Sequence, residues 1–421
     1  MNHPIALLGF VAAALIAPAQ ANDLFVNPSR PGAFATLQAA HDAAQPGDRI
    51  VIETDLPAVG QTVIRKSLTI ESIDDNRRKL PHIGTATDSG SFLIDSLTPG
   101  LPLTLRSLSL VFLRQPGSSR ATVGIRCNPN LRGKLMMDHM SVDNGNVDPD
   151  LATTLMDFDS QLSELWVRNT RFIARDTAPG DGCAGQLGDK DGSDAFRCNC
   201  RVLILEDSEC FAGSAAFLRY NPNCTQAPLG GVGGRAAYAQ VDATVVVNCL
   251  FSDGNGGDVE IAPWTVTPVP GLRNPSEYTS FASVFEAFTS GHEPARDGIM
   301  APARTPGRQG YQQFGNLNTR LHLGGNCRVG GTADLTATLQ PGEGVVALVS
   351  TAWNFYVLPA PLGILWIDVP QLLHIVPFGV TSTASLQIPA DTALLQLPIV
   401  SQGVLVPQIQ LTNPSGIQVR L

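Results

Sequence analysis

Residues 36 to 52, TLQAAHDAAQPGDRIVI, change hydrophobic period midway. Leu37, Ala40 and Ala44 recur at helix spacing behind Thr36, a residue able to cap a helix start, and Pro46-Gly47 punctuates the end. The spacing leaves His41 as a partly exposed helical residue. After Asp48 the period falls to two, with Ile50 and Ile52 on one side and Arg49 and Val51 on the other. That alternation predicts a half-buried strand, and Arg49 to Glu53 is expected to be the first strand of the fold.

One short pattern then keeps returning: alternating apolar residues, a charge, a small polar residue, and another apolar residue three further on. It reads LTIES at 68 to 72, LTLRSLSL at 103 to 110, LMMDHMSV at 135 to 142, LWVRNTRF at 165 to 172 and LILEDSEC at 203 to 210. Looser copies are TVVVNCLF at 244 to 251 and LGGNCRV at 323 to 329. Aligned, they place Ile70, Leu105, Met137, Val167, Leu205 and Val246 in one column, and Leu110, Val142, Phe172, Cys210 and Phe251 in a second. Ser72, Ser107, His139, Asn169, Asp207 and Asn248 fall where the chain must bend, and Asn, Asp and His are among the non-glycine residues that best tolerate a left-handed conformation. Strands returning with like residues in register predict a β-solenoid whose coils bury their faces on one another, as against a β-sandwich with similar strands.

Residues 252 to 320 interrupt the repeat, with a helix expected at FASVFEAF. If that segment is an excursion between two coils, Cys249 and Cys327 lie about 4.8 Å apart on stacked strands, and a Cys249–Cys327 disulfide is expected. Beyond about 335, GVVALVST, GILWIDV, TASLQIP and ALLQLPIVSQGVLV read as short strands between Pro and Gly turns, a small β-sandwich over 336–421. The apolar stretch LPAPLGILWIDVPQLLHIVPF is broken by Asp368 and prolines, so strands and no transmembrane anchor are expected there.

The net charge of −9 argues against nucleic-acid and anionic-membrane partners. Residues 5 to 21, IALLGFVAAALIAPAQA, have the length and the Ala-Gln-Ala end of a signal peptide, although MNHP carries no Lys or Arg; 1–21 is expected to direct export to the outside or the cell envelope. Eight cysteines in an exported chain then predict disulfides, with zinc the alternative for Cys198 and Cys200.

The residues before the bends, Glu71, Arg106, Asp138, Arg168 and Glu206, alternate in sign. They predict a solvated ion-pair ladder or, alternatively, a polysaccharide groove in which Arg106, Arg168 and Glu206 bind substrate. Asp189, Asp191 and Asp194 around Gly192 offer a calcium site, with a solvated acidic loop stapled by Cys183 and Cys198 as the alternative, and GGVGG at 230 to 234 reads as a turn.

FVNPSRPGAFATLQAAHDAAQPGDRIVI and the returning coil motif resemble the right-handed parallel β-helix proteins of the pectin-lyase-like superfamily, over residues 22–335 with the insertion at about 252–320. GILWID, QIPAD and LTNP are similar to a C-terminal β domain of secreted planctomycete proteins. The resemblance implies an all-β fold: a right-handed parallel β-helix with an N-terminal cap helix, then a small C-terminal β-sandwich. It leaves chemistry open, because the superfamily holds enzymes, adhesins and scaffolds. Asp74-Asp75 and Gly291-His292 are fragments of a polygalacturonase-like set. MMDH at 136 to 139 resembles a pectate-lyase-like coil, and Arg304 to Arg308 approaches that group's arginine pair without its spacing. Two functions follow as expectations. One is binding or organising extracellular polysaccharide or cell-envelope glycan as a scaffold. The other is a calcium-assisted polysaccharide lyase or a glycoside hydrolase, with Asp138, His139, Asp143 and Arg168 as catalytic candidates.

Overall fold

The computed structural model describes residues 22–74, 76–84, 92–114, 124–143, 154–174, 180–181, 192–213, 218–219, 234, 236–247, 249–252, 259–262, 265–267, 310–314, 320–325, 327–358, 364–369, 372–378, 383–391, 394, 397–406 and 410–420. The fold is all-β, and among these residues the one helix is Leu37–Ala43. Thr36 is extended and accepts the Ala39 N–H at 3.1 Å, the expected cap.

The first strand precedes the helix. Asp23–Val26 lies parallel to Arg49–Ile52 in register, so Arg49–Ile52 is the second strand of its sheet. Val51 is buried along with Ile50 and Ile52, in a strand paired on both sides. His41 is buried too: its Nε2 accepts the Arg65 N–H at 2.9 Å, and burial lowers its pKa.

One sheet of 13 strands carries two runs of stacked parallel strands. The first passes through Asp23–Val26, Arg49–Ile52, Thr69–Ser72, Pro102–Arg106, Lys134–Asp138 and Glu164–Arg168; the other through Thr62–Ile64, Phe92–Ile94, Ile125–Cys127 and Thr154–Asp159. The long strand Asp194–Glu206 belongs to both runs. A second parallel sheet stacks Arg78–Gly84, Leu108–Arg114, Ser141–Asp143, Arg171–Ile173, Glu209–Phe211 and Leu250–Ser252. The topology is compatible with a β-helix.

Both apolar columns are in register. Leu105 pairs Met137, which pairs Val167, then Leu205, then Val246. On the second sheet Leu110 pairs Val142, which pairs Phe172, then Cys210, then Phe251. At the bends, Ser107, His139, Asn169 and Asp207 hold φ of 51°, 55°, 47° and 48°. Each donates its N–H to a backbone carbonyl of the next coil, at 2.9–3.0 Å, so the bends stack as the strands do. Ser72 has no such φ; its hydroxyl donates to Asp74 at 2.8 Å.

The copy at 323–329 is not a coil. Gly310–Phe314 stacks on Tyr238–Val247, whereas Arg320–Gly324 pairs antiparallel with Thr332–Thr338. Beside a two-stranded antiparallel sheet of Trp353–Val357 and Ile364–Ile367, two larger antiparallel sheets follow: Arg320–Gly324, Thr332–Thr338 and Thr383–Gln387 in one, and Leu372–Phe378, Gly344–Ser350, Pro398–Val406, Gln410–Leu411 and Ser415–Gln418 in the other. They share a core that includes Leu321, Leu335, Val345, Ala347 and Cys327, whereas Cys249 belongs to the core of the coils. The expected Cys249–Cys327 disulfide is therefore not formed, and both are thiols in separate cores. Ile364–Ile367 and Leu372–Phe378 are strands, and no helix among the described residues is long and apolar enough to cross a membrane.

Candidate functional site

The outward positions of the central strands decide what the charged column does. Along Lys134–Asp138, Leu135 and Met137 point into the coil core, so Met136 and Asp138 point out. Met136, Trp166, Ile204, Val245 and Val247 make an apolar outer stripe that packs on Trp353, Leu365, Trp366, Ile367, Val400 and Leu411 of the C-terminal part. The Trp166 and Trp353 rings meet edge to face at 5.5 Å.

Beside that stripe the charges stack with alternating sign. Arg106 donates from Nη1 to Glu71 at 3.0 Å and from Nε to Asp138 at 3.3 Å, and Arg168 Nε lies 3.8 Å from Glu206. Arg49 extends the row, donating from Nε to Glu71 at 2.6 Å and pairing with Asp23 at 3.1 Å. The strand Ser415–Gln418 and its flank cover the middle of the row. Arg106 Nη2 donates to Gln418 Oε1 at 2.7 Å, and Gln418 Nε2 donates to Thr104 Oγ1 at 3.0 Å. Ser415 Oγ donates to Glu206 at 2.7 Å, Arg420 Nη2 reaches Asp138 at 3.5 Å, and Arg168 Nη2 donates to the Leu323 carbonyl at 2.9 Å.

The solvated ladder expected from sequence is thus a buried one: Arg106, Arg168 and Glu206 are 4%, 6% and 1% exposed. The three residues expected to hold substrate are thus covered by the chain's own C-terminal part. Taking such charges out of water is costly unless each finds partners, which is what the alternation of sign and the C-terminal hydrogen bonds supply. Burial pushes the Asp138 carboxyl up, but Arg106, Arg168 and Arg420 outweigh it and hold it below the usual range. At Glu206 burial prevails over Arg168, the adjacent Asp207 adds to it, and the carboxyl is raised.

Of the catalytic candidates, Asp138 and Arg168 are register partners on neighbouring strands. Asp138 and Arg168 stand in the covered row of the first sheet, while Asp143 ends a strand of the second sheet, beyond the bend at His139. The His139 carbonyl accepts from Arg77 at 3.1 Å. Of the calcium candidates, Asp194 begins the strand Asp194–Glu206, and Asp189 and Asp191 lie outside the described residues, as do Asp75, Cys183, Cys224, Gly291-His292, Arg304 to Arg308, most of GGVGG and the helix expected at FASVFEAF. Among the described residues, Glu206, Asp207 and His322 bring one metal-ligating atom each within 4.8 Å of one another.

Sequence reasoning missed a second enclosed polar group. His82 lies against a cavity of about 160 Å³ lined by Leu37, Leu56, Val59, Thr62 and Leu80. Its Nδ1 stands 3.0 Å from the Leu80 carbonyl and its Nε2 3.0 Å from Thr62 Oγ1, so a neutral ring donates to the first and accepts from the second. Nothing in PHIG at 81 to 84 sets this histidine apart from a surface one. Compared with protein-family models, curated proteins and solved structures, the chain matches none of them.

Proposed function

We propose that the chain is an exported parallel β-helix of the pectin-lyase-like kind that binds or organises extracellular polysaccharide or cell-envelope glycan as a scaffold, without turning it over. The observation that carries this reading is the use made of the charged column. Arg106, Asp138, Arg168 and Glu206 are engaged by one another and by the chain's own C-terminal strand, which supports a role in holding the molecule together. In this reading the C-terminal part is a β-sandwich docked on one face of the coils, and the helix Leu37–Ala43 caps their end.

Glycan contact falls to the second sheet, whose outer face keeps charge in water. There Arg171 and Glu209 pair at 3.1 Å with half of each side chain exposed, and the Arg171 guanidinium lies 5.0 Å from the Phe211 ring centre. A planar cation beside an aromatic face suits sugar hydroxyls and carboxylates. The test incubates purified protein with a panel of polyuronates and neutral glycans, with calcium and with chelator. Saturable binding without product, weakened by Arg171→Ala, is expected. Unsaturated or shortened product would replace this reading with a lyase or a hydrolase.

A further inference from the structure

We propose that Cys198 and Cys200 close a disulfide within a single strand, at the inner corner of the coil that Asp194–Glu206 builds. Their Sγ atoms stand 3.0 Å apart, and both side chains are buried in the coil core. That separation is about 1 Å more than an S–S bond of roughly 2.05 Å, a difference that small side-chain rotations remove.

The register explains why the two sulfurs meet. In the preceding coil Asp159 and Glu164 are separated by the turn 160–163, and they pair with Asn199 and Val202. Four residues of turn are therefore matched by two, Cys200 and Arg201. At this shortened corner the Cys198 and Cys200 side chains are buried while Arg197 and Arg201 stay exposed on the outside. In a flat strand, residues two apart are separated by about 6.6 Å along the strand and their side chains run side by side. Here the two Sγ atoms stand less than half that distance apart, at 3.0 Å.

A metal is the competing use of two such sulfurs. Among the described residues no third His, Cys, Asp or Glu joins the pair within reach of one ion. Closure proceeds by exchange with a small-molecule or protein disulfide. The S–S bond of that oxidant breaks as the Cys198–Cys200 bond forms, and the two protons of the cysteine thiols end on the oxidant's two sulfurs. Because the pair is enclosed, exchange takes place before the coil closes or when it opens. The ring spans three residues, so it constrains the unfolded chain little, and its effect is on the corner rather than on overall stability.

Trypsin makes the test direct, since it cuts after Arg197 and Arg201 and releases Cys198-Asn199-Cys200-Arg201 apart from every other cysteine. The full chain, recovered from its host without reductant, is alkylated in denaturant, digested and weighed. The expected tetrapeptide carries no alkyl group, is lighter by two hydrogen atoms, and takes two alkyl groups only after reduction. Alkylation of both sulfurs before reduction, or a link from either to another peptide, overturns the proposal. In a second measurement a small thiol should open the bond in denaturant but not in the folded protein; equal rates in both would overturn the enclosed corner. Cys198→Ser should leave Cys200 alkylated without reduction, and if that variant does not fold, the digest of the natural chain still decides.

Discussion

His82 is held neutral by its surroundings. Burial against Phe92 and Phe112 lowers its pKa to about 4, from an ordinary value of 6.5. The folded-state value lies below the unfolded one, so the contribution to stability is complete above pH 6.5 and is lost as pH falls toward 4. The gap is worth about 3 kcal/mol. Chemical denaturation at a series of pH values should show this loss for the natural chain and its absence for His82→Gln. A second residue-scale expectation concerns the bends. His139 sits at φ 55°, so His139→Val should cost about 1–2 kcal/mol while His139→Gly is nearly neutral. Those bends were legible in the sequence because side chains tolerant of a left-handed backbone recur at one position. Ser72 occupies that position but follows a different turn, held through Asp74, and residue type alone did not reveal it.

At the scale of the element, each central strand is read on two sides, and only one side was legible. The inward columns Leu105, Met137, Val167, Leu205 and Leu110, Val142, Phe172 follow from period two alone. On the outward side, Met136, Trp166 and Ile204 break the expected polar face, and a large apolar residue at an outward position is the signal that something covers it. The same covering turns the charges from solvated to buried, which pattern reading cannot distinguish because the residue types are identical. The strand Asp23–Val26 was missed because Leu24, Phe25 and Val26 run apolar without alternating with polar residues. Burial makes the row unforgiving. Arg168→Ala leaves Glu206 buried without its cation and should cost about 3–5 kcal/mol in urea unfolding, several times the effect of removing an exposed pair such as Arg171 with Glu209.

Over the whole molecule, two hydrophobic cores are joined by a third cluster and a row of charges. The coils hold Cys249, the antiparallel sheets hold Cys327, and the seam between them is made by the two tryptophans and by Ser415 to Arg420 lying along the charged column. Separation in sequence explains why this was hidden: Gln418 meets Arg106 across 312 positions, and no local pattern links them. The proposed scaffold function depends on that seam being formed. The most direct test is a double-mutant cycle on unfolding free energy with Arg106→Met, Gln418→Met and the pair. Loss of the Arg106 charge beside Glu71 and Asp138 is common to both arms and cancels, which leaves the coupling of the two residues. A coupling of about 1.5–3 kcal/mol is expected, as for a buried hydrogen bond from a charged group. Additivity within error would contradict it.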